Sequence, residues 1–147
     1  MGNTKALLGA GCFWGVEEVF RKINGVIDTK VGYAGGNLPN PTYHEVCNDN
    51  TGHIEVVQIE FDSNIISYER ILDNFWLCHD PTQLNRQGPD VGTQYKSIIF
   101  YFTAEQKIIA LKSKQNFQKN LSNQIMTEIL KVCPFYLAED YHQKYIQ

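Results

Sequence analysis

Residues 4–23 read TKALLGAGCFWGVEEVFRKI, and much of the architecture can be worked out from this segment. The mainly apolar run Thr4–Gly9 predicts a short β-strand. The next apolar side chains recur at the i, i+3, i+4 and i+7 spacing of a helix: Val16, Val19, Phe20 and Ile23. A strand therefore runs almost directly into a helix, and Gly11–Gly15 forms the turn between them.

The remaining elements are predicted from alternation, apolar spacing and helix-capping residues. The predicted strands are Ile27–Tyr33, His53–Phe61, Ser97–Phe102 and Ile125–Lys131. The predicted helices begin at the capping residues Ser67 and Thr103 and end before Pro81 and near Lys119. The rest comprises two long loops, Ala34–Thr51 and a second one reaching about Gln94, and a short terminal helix or turn, Ala138–Tyr145.

The order β-α-β-β-α-β-α-β predicts an α+β fold, a two-layer sandwich with helices on one face of a mixed sheet. We expect its core to be of the split-βαβ, ferredoxin-like kind. The chain has 147 residues and no repeat or linker, so we expect a single domain over residues 1–147. Ordered loops of such length are often functional.

Composition and charge argue against several classes of protein. Hydrophobic residues make up 43% and charged residues 20% of the chain, as in globular proteins. The net charge of -3 and the scattered Lys and Arg residues argue against nucleic-acid binding. No apolar run approaches the roughly 18 residues that span a membrane. With no signal peptide recognisable at the amino terminus, we expect a cytoplasmic protein.

Cys12 lies at the predicted junction of strand and helix, which favours a reactive role. Unpaired backbone N–H groups at a helix start stabilise a thiolate, so we expect a lowered pKa for Cys12. The neighbouring rings of Phe13 and Trp14 could form an apolar wall beside the sulfur. The alternative is a buried structural cysteine among core aromatics, which is a common setting for a free thiol.

The other three cysteines show no comparable setting. No pair of cysteines has the C-x-x-C spacing, the gaps do not match zinc ligands, and structural disulfides are rare in the cytosol. We therefore expect no metal site. Core packing explains Cys78, Cys133 precedes Pro134, and Cys47 lies in the first long loop, where it is the likeliest of the three to be accessible.

Glu55 is a second candidate, because strand alternation places it on an apolar face. Residues at i, i+2 and i+4 of a strand share a face, so Glu55 points with Val57 and Ile59. Burial raises the pKa of a carboxyl group, and a neutral acid can donate a proton at neutral pH. The alternative is a frayed strand start with Glu55 at its solvated edge.

Two other functions are compatible with these residues. One is a cysteine hydrolase that pairs Cys12 with His53 or His142, since nucleophile and base need not be close in sequence. The other is a non-catalytic peptide-binding module that uses Trp14 and the loop tyrosines.

Seven short motifs follow one another along the chain: Gly11–Gly15, Gly32–Gly36, Pro39–Tyr43, Gly52–Glu55, His79–Pro81, Gly92–Tyr95 and Ala138–Gln143. In this order they resemble the A-type peptide methionine sulfoxide reductases, and the resemblance runs from about Leu7 to Tyr145. It implies reduction of methionine sulfoxide, free or in proteins, with preference for the S epimer at sulfur. It implies no metal and no organic cofactor.

The resemblance also implies a role for each site residue. Cys12 attacks the sulfoxide sulfur and becomes a sulfenic acid, and Glu55 protonates the sulfoxide oxygen. The other implied roles are binding of the methyl group by Phe13 and Trp14, help to Glu55 from Tyr43 and Tyr95, and a place in the polar network for Asp90.

One departure from the family concerns regeneration of the sulfur. The chain ends at Gln147, whereas many relatives continue into a glycine-rich tail with resolving cysteines. We therefore expect an external thiol reductant, such as glutathione with glutaredoxin, or thioredoxin, to reduce the Cys12 sulfenic acid. The alternative is that Cys47 or Cys133 resolves it.

Overall fold

The computed structural model describes residues 3–47 and 51–146, and within these ranges it contains eight strands and four α-helices. The strands are β1 (Asn3–Ala10), β2 (Val26–Ala34), β3 (Ile54–Asp62), β4 (Arg86–Gln87), β5 (Asp90–Val91), β6 (Ser97–Tyr101), β7 (Glu128–Lys131) and β8 (Phe135–Leu137). The helices are α1 (Phe13–Arg21), α2 (Tyr43–Cys47), α3 (Tyr68–Leu77) and α4 (Ala104–Gln118). Two short 3₁₀ helices cover Thr93–Tyr95 and Asp140–His142.

Six of the strands form one mixed sheet in the order β7-β6-β1-β3-β2-β8. Neighbours pair antiparallel except β6 and β7, which are parallel. Helix α1 connects β1 to β2, and β3 lies between these two strands. Strands β4 and β5 form a separate two-stranded hairpin. The predicted α+β class and mixed sheet are confirmed.

Alternation along β1 shows how the sheet divides the core. Ala6 and Leu8 pack in the larger cluster, which includes buried side chains of α1, α3 and α4. Leu7 points the other way, into a smaller cluster with Val56 and Phe100. The partly buried segment after β7, which includes Cys133, packs against this smaller cluster. The three longer helices therefore share one face of the sheet.

The structure corrects several predicted boundaries. Helix α2 lies inside the predicted loop Ala34–Thr51, of which residues 48–50 lie outside the described part of the chain. The hairpin β4–β5 and strand β8 also form where no strand was predicted. These elements have two to five residues, too few to show a hydrophobic period. Strand β7 begins at Glu128 rather than Ile125.

The segment after β8, residues 138–146, is tied to α1 and β2 by buried polar contacts. The Ala138 N–H donates to the Val31 carbonyl at 3.0 Å. The Gln143 side chain accepts from the Val31 N–H and donates to the Val31 carbonyl, both at 2.9 Å. Buried Glu17 accepts the Lys144 N–H at 2.7 Å and the Thr29 hydroxyl at 2.7 Å. The carboxyl-terminal segment, defined as residues 138–146, is thereby held beside the first helix.

We predict that Gly32→Ala lowers the free energy of unfolding by about 1–3 kcal/mol, because overpacking forces backbone shifts of this energy. A Cβ at Gly32 would lie 2.4 Å from the Tyr136 carbonyl oxygen and 2.5 Å from the Phe135 ring. Urea unfolding followed by circular dichroism measures the change.

Gly15→Ala is the matched control, because a Cβ there meets nothing within 4 Å. Gly15 lies inside α1, where alanine is preferred over glycine by about 0.5–1 kcal/mol. Equal stability of Gly32→Ala and the wild-type protein would contradict the close packing of β8 on β2.

Candidate active site

The candidate site begins at the turn between β1 and α1. Gly11 has a φ of +99°, a backbone conformation that residues other than glycine rarely adopt. This conformation connects the end of β1 to the start of α1. Cys12 is the N-cap residue of α1, and its own side chain makes no capping hydrogen bond. Backbone N–H groups of Trp14 and Gly15 instead hydrogen-bond to its sulfur. The helix start therefore faces the thiol, as the sequence predicts.

The pKa of Cys12 departs from the sequence prediction. Burial raises the pKa of the thiol to about 11. The Trp14 and Gly15 N–H groups lower it, but the charges of Glu55 and Asp90 raise it further. The expected lowering is wrong because desolvation of a thiolate outweighs the stabilising effect of the helix start. Cys12 is a protonated thiol at neutral pH.

Glu55 lies under the same turn and is 1% exposed. Its Oε1 accepts the Phe13 N–H at 3.1 Å, whereas its buried Oε2 has no hydrogen-bond partner among the described residues. Burial raises the pKa of Glu55 to about 8; the Phe13 N–H opposes this and the Asp90 charge adds to it. The predicted burial and raised pKa are confirmed, and the frayed-strand alternative is wrong. Glu55 holds its proton at neutral pH.

Aromatic rings cover the side of the turn that carries Phe13 and Trp14. The fully buried Phe13 ring has its centroid 6.3 Å from that of Tyr43. The Trp14 ring stacks on Tyr145 at 4.1 Å and donates its Nε1–H to His142 Nδ1 at 3.0 Å. His142 must therefore accept through Nδ1, which requires a ring that is unprotonated at this nitrogen.

Sequence reasoning assigned no packing role to His142 or Tyr145. Both belong to the carboxyl-terminal segment, whose motif Ala138–Gln143 was noticed only as part of the family pattern. The signal that could have found them is the set of aromatic and histidine side chains in that short segment, since such rings often bury one face against another ring.

The second long loop brings Tyr95 and Asp90 to the same place. Asp90 is in β5, and Tyr95 ends the 3₁₀ helix that contacts β3. Burial raises the pKa of Tyr95 to about 12, and the charges of Glu55, Cys47, Asp90 and Cys12 raise it as well. Such mutual effects require short distances. Tyr95 and Asp90 therefore lie near Cys12 and Glu55.

The four cysteines, all within the described ranges, are free thiols, and their surroundings differ. Cys47 ends α2, one turn after Tyr43, and hydrogen-bonds to the side chains of Tyr43 and Gln94. Cys78 donates to the Phe75 carbonyl at the end of α3. Cys133 packs against the smaller core cluster on the opposite face of the sheet. Cys47 thus contacts the candidate site, whereas Cys133 belongs to another surface.

No group of three potential ligands among His, Cys, Asp and Glu lies close enough to hold a metal ion within residues 3–47 and 51–146. A search of the same residues finds no helix that is both apolar and long enough to cross a bilayer.

Comparison with known proteins assigns this chain to a family. The family model described as "Peptide methionine sulfoxide reductase" matches residues 4–147. The chain belongs to the peptide methionine sulfoxide reductases. A relative named "Peptide methionine sulfoxide reductase MsrA", from Methanococcus maripaludis strain C6, is 57% identical over 99% of this chain and 93% of its own length.

Solved structures of methionine sulfoxide reductases have the same fold. Methionine sulfoxide reductase A of Corynebacterium diphtheriae superposes with a TM-score of 0.95 at 37% identity, covering 99% of this chain and 74% of that one. Mxr1 from Saccharomyces cerevisiae in reduced form gives 0.94 at 37% identity, covering 99% and 84%. Mxr1 has also been solved in complex with Trx2, with a TM-score of 0.69 at 25% identity, covering 99% and 86%.

These matches confirm the predicted family and the predicted enzyme class, a peptide-methionine (S)-S-oxide reductase that repairs oxidised methionine. The hydrolase alternative also lacks a free histidine base. His53 Nδ1 accepts the Gly36 N–H at 3.1 Å, its Nε2 lies 2.6 Å from the Leu38 carbonyl, and His142 Nδ1 is taken by Trp14.

We predict that Glu55→Gln gains stability relative to the wild-type protein as the pH rises from 5 to 8. The folded-state pKa of Glu55 is about 8 against 4.5 for the free group. Between these values the unfolded chain has lost a proton that the folded chain keeps, so wild-type stability falls as pH rises. Glutamine has no such proton.

The measurement is chemical unfolding of both proteins at pH 5 and pH 8. Each pKa unit corresponds to about 1.4 kcal/mol, so the difference between variant and wild type should change by a few kcal/mol in favour of Glu55→Gln. The other titrating groups are the same in both proteins and cancel in the comparison. A pH-independent difference would show that Glu55 ionises normally in the fold.

Proposed function

We propose that this chain reduces methionine S-sulfoxide by attack of the Cys12 sulfur on the sulfoxide sulfur, with Glu55 as the proton donor. The observation that supports this most strongly is the buried carboxyl of Glu55, which has one oxygen bonded to the Phe13 N–H and the other unpaired. Its pKa of about 8 keeps it protonated at neutral pH. A sulfoxide oxygen is a poor leaving group unless it is protonated, so an acid in this state is what the reaction needs.

The proposed step starts with both the Cys12 thiol and the Glu55 carboxyl protonated, and its protons and electrons balance. The Cys12 sulfur forms a bond to the sulfoxide sulfur as the oxygen is protonated. The hydroxyl group then passes to the Cys12 sulfur while the S–S bond and the substrate S–O bond break, which leaves methionine and a Cys12 sulfenic acid. The substrate gains two electrons and Cys12 loses two. Glu55 gives its proton to the oxygen, and the proton that leaves the thiol replaces it on Glu55. The pair starts and ends the step with Glu55 protonated.

The other site residues assist at two positions. The hydroxyl groups of Tyr43 and Tyr95 hold the oxygen where negative charge develops, since preformed hydrogen bonds stabilise such charge. Burial keeps both hydroxyls protonated, because it raises the pKa of Tyr43 and of Tyr95. Asp90 tunes the network by raising the pKa of Glu55. Phe13 and Trp14 receive the S-methyl group, although an apolar wall alone discriminates modestly.

Regeneration requires a thiol. We propose that an external reductant attacks the sulfenic acid, releases water and leaves a mixed disulfide that a second thiol cleaves. Glutathione with glutaredoxin, or thioredoxin, has this chemistry, and the complex of Mxr1 with Trx2 supports the thioredoxin option. Cys47 is the internal alternative that its contact with Tyr43 favours, ahead of Cys133.

The proposal also includes three expectations about the domain, the fold and the location of the protein. The family match over residues 4–147 supports one domain across the chain. The order β6-β1-β3-β2 with α1 and α3 on one face supports a split-βαβ, ferredoxin-like core. The cytoplasmic location stays a prediction.

The proposed chemistry predicts that the enzyme converts methionine S-sulfoxide to methionine with dithiothreitol as reductant. Cys12→Ser should abolish turnover, because a hydroxyl is a far weaker nucleophile at neutral pH. Glu55→Gln should slow reduction about 100-fold or more, which is the usual contribution of general acid catalysis. Chromatographic detection of methionine measures both effects.

Cys78→Ser serves as the matched control and should keep turnover within about twofold, since Cys78 hydrogen-bonds to the Phe75 carbonyl at the end of α3 and has no part in the proposed chemistry. In the wild-type enzyme kcat/KM should fall above pH 8 as Glu55 loses its proton. Equal loss in Cys12→Ser and Cys78→Ser, with both proteins folded, would overturn the choice of nucleophile. Unchanged rates in Glu55→Gln would remove it as the acid.

The regeneration route predicts a trapped intermediate. After one equivalent of substrate without reductant, mass spectrometry should show Cys12 as a sulfenic acid, a gain of about 16 Da, because no internal thiol consumes it. Wild type, Cys47→Ser and Cys133→Ser should all give the same product. A disulfide joining Cys12 to Cys47 in wild type, absent in Cys47→Ser, would instead identify Cys47 as the resolving thiol.

A further inference from the structure

We propose that Glu139 is a positioning residue for the sulfoxide reduction, because its carboxylate fixes Tyr43 relative to the strand that lies beside Glu55. The inference rests on the proposed function, since Tyr43 is assigned there to the sulfoxide oxygen. Glu139 belongs to the carboxyl-terminal segment and lies 96 residues after Tyr43 in the chain.

The two oxygens of Glu139 bind two different elements. Oε2 accepts the Tyr43 N–H at 3.0 Å, at the first residue of α2. Oε1 accepts the Tyr33 hydroxyl at 3.0 Å, from the middle of the sheet. Tyr33 is fully buried and pairs with Glu55 in the register of β2 and β3. One carboxylate thereby connects the helix that carries Tyr43 to the strand that adjoins the acid.

Helix α2 needs such a contact. It has five residues, and helices this short are unstable by themselves because the first turn costs more entropy than its hydrogen bonds return. Locally, α2 is capped by Thr42 and Glu45, which bond to each other's side chains and backbone. The Tyr43 N–H is satisfied from outside the helix by Glu139. Rotation or shift of α2 would move the Tyr43 ring and hydroxyl together.

Glu139 is charged in this arrangement. Burial raises its pKa, but the Tyr43 N–H and the Tyr33 hydroxyl, among other donors, lower it more, and the net pKa lies below the usual value. A carboxylate can accept at both oxygens at once, whereas an amide in its place offers only one acceptor. Glu139→Gln therefore breaks one of the two connections and leaves the size of the side chain unchanged.

Other contacts of the carboxyl-terminal segment do not depend on Glu139. Gln143 bonds to the Val31 backbone, and the Lys144 N–H bonds to Glu17. The segment should therefore stay docked in Glu139→Gln. Glu17→Gln provides the matched control, because the Glu17 carboxylate also anchors this segment, and its bonds are to Thr29 and Lys144 rather than to Tyr43.

The test is a double-mutant cycle on methionine S-sulfoxide reduction with dithiothreitol. Glu139→Gln should lower kcat about tenfold with KM changed less than twofold, because a misplaced Tyr43 hydroxyl affects the transition state more than substrate binding. In the Tyr43→Phe background, Glu139→Gln should lower kcat less than twofold further, since residues that act through one group are not additive. Glu17→Gln should change kcat less than twofold in both backgrounds.

Equal loss from Glu139→Gln with and without the Tyr43 hydroxyl, or no loss in the wild-type background, would overturn the proposal. If Glu139→Gln does not fold, Tyr33→Phe removes the other end of the connection, and its loss of kcat should likewise vanish in the Tyr43→Phe background. Thermal unfolding of every variant checks the fold. A wild-type enzyme without reductase activity would instead refute the proposed function itself.

Discussion

The hydrogen bond from the Phe13 N–H to Glu55 is the contact on which the rest of the site depends. It joins the first residue of α1 to β3 of the sheet, so the relative position of Cys12 and Glu55, the proposed nucleophile and acid, is fixed. In this bond a backbone N–H donates to Glu55, which lowers the pKa of the carboxyl and so opposes the effect of burial without cancelling it. A stronger set of donors would ionise the carboxyl and remove the proton that the reaction uses.

Burial therefore acts in the same direction on the pKa of the two groups that meet at the turn between β1 and α1. Both Cys12 and Glu55 stay protonated because desolvation is the largest influence on each. The helix start moderates both groups, through Trp14 and Gly15 for the sulfur and through Phe13 for the carboxyl. Their protons are coupled, since ionisation of either group disfavours ionisation of the other.

Local patterns in the sequence predicted the parts of the fold that are long and periodic. The strand-to-helix junction at Cys12 follows from spacing, and the caps at Ser67 and Thr103 form as expected. Strand alternation placed Glu55 on an apolar face but left a frayed, solvated strand start open, and the structure shows Glu55 buried. The pKa direction of Cys12 could not be predicted, because it depends on how much solvent distant loops exclude. The local sequence predicts where a helix starts, whereas the burial of the Cys12 side chain depends on the fold of the whole chain.

The carboxyl-terminal segment shows why the remainder of the site was missed. His142 and Tyr145 reach Trp14 across nearly the whole length of the chain, and no local period predicts which distant ring a side chain will meet. Strand β8 and helix α2 are equally short, so tertiary hydrogen bonds rather than propensity define them. The resemblance to the family includes the motif Ala138–Gln143 but implies no role for a residue of this segment.

The high pKa of Cys12 affects how readily its sulfur reacts with oxidants. With a pKa of about 11, about one sulfur in ten thousand is ionised at neutral pH. Hydrogen peroxide and electrophiles react with thiolates, so they should react slowly with the protonated thiol of Cys12. In the proposed reaction the substrate brings its own oxygen to Glu55, and this contact makes the sulfur of Cys12 reactive. The proposed nucleophile is thereby protected from oxidants other than the substrate.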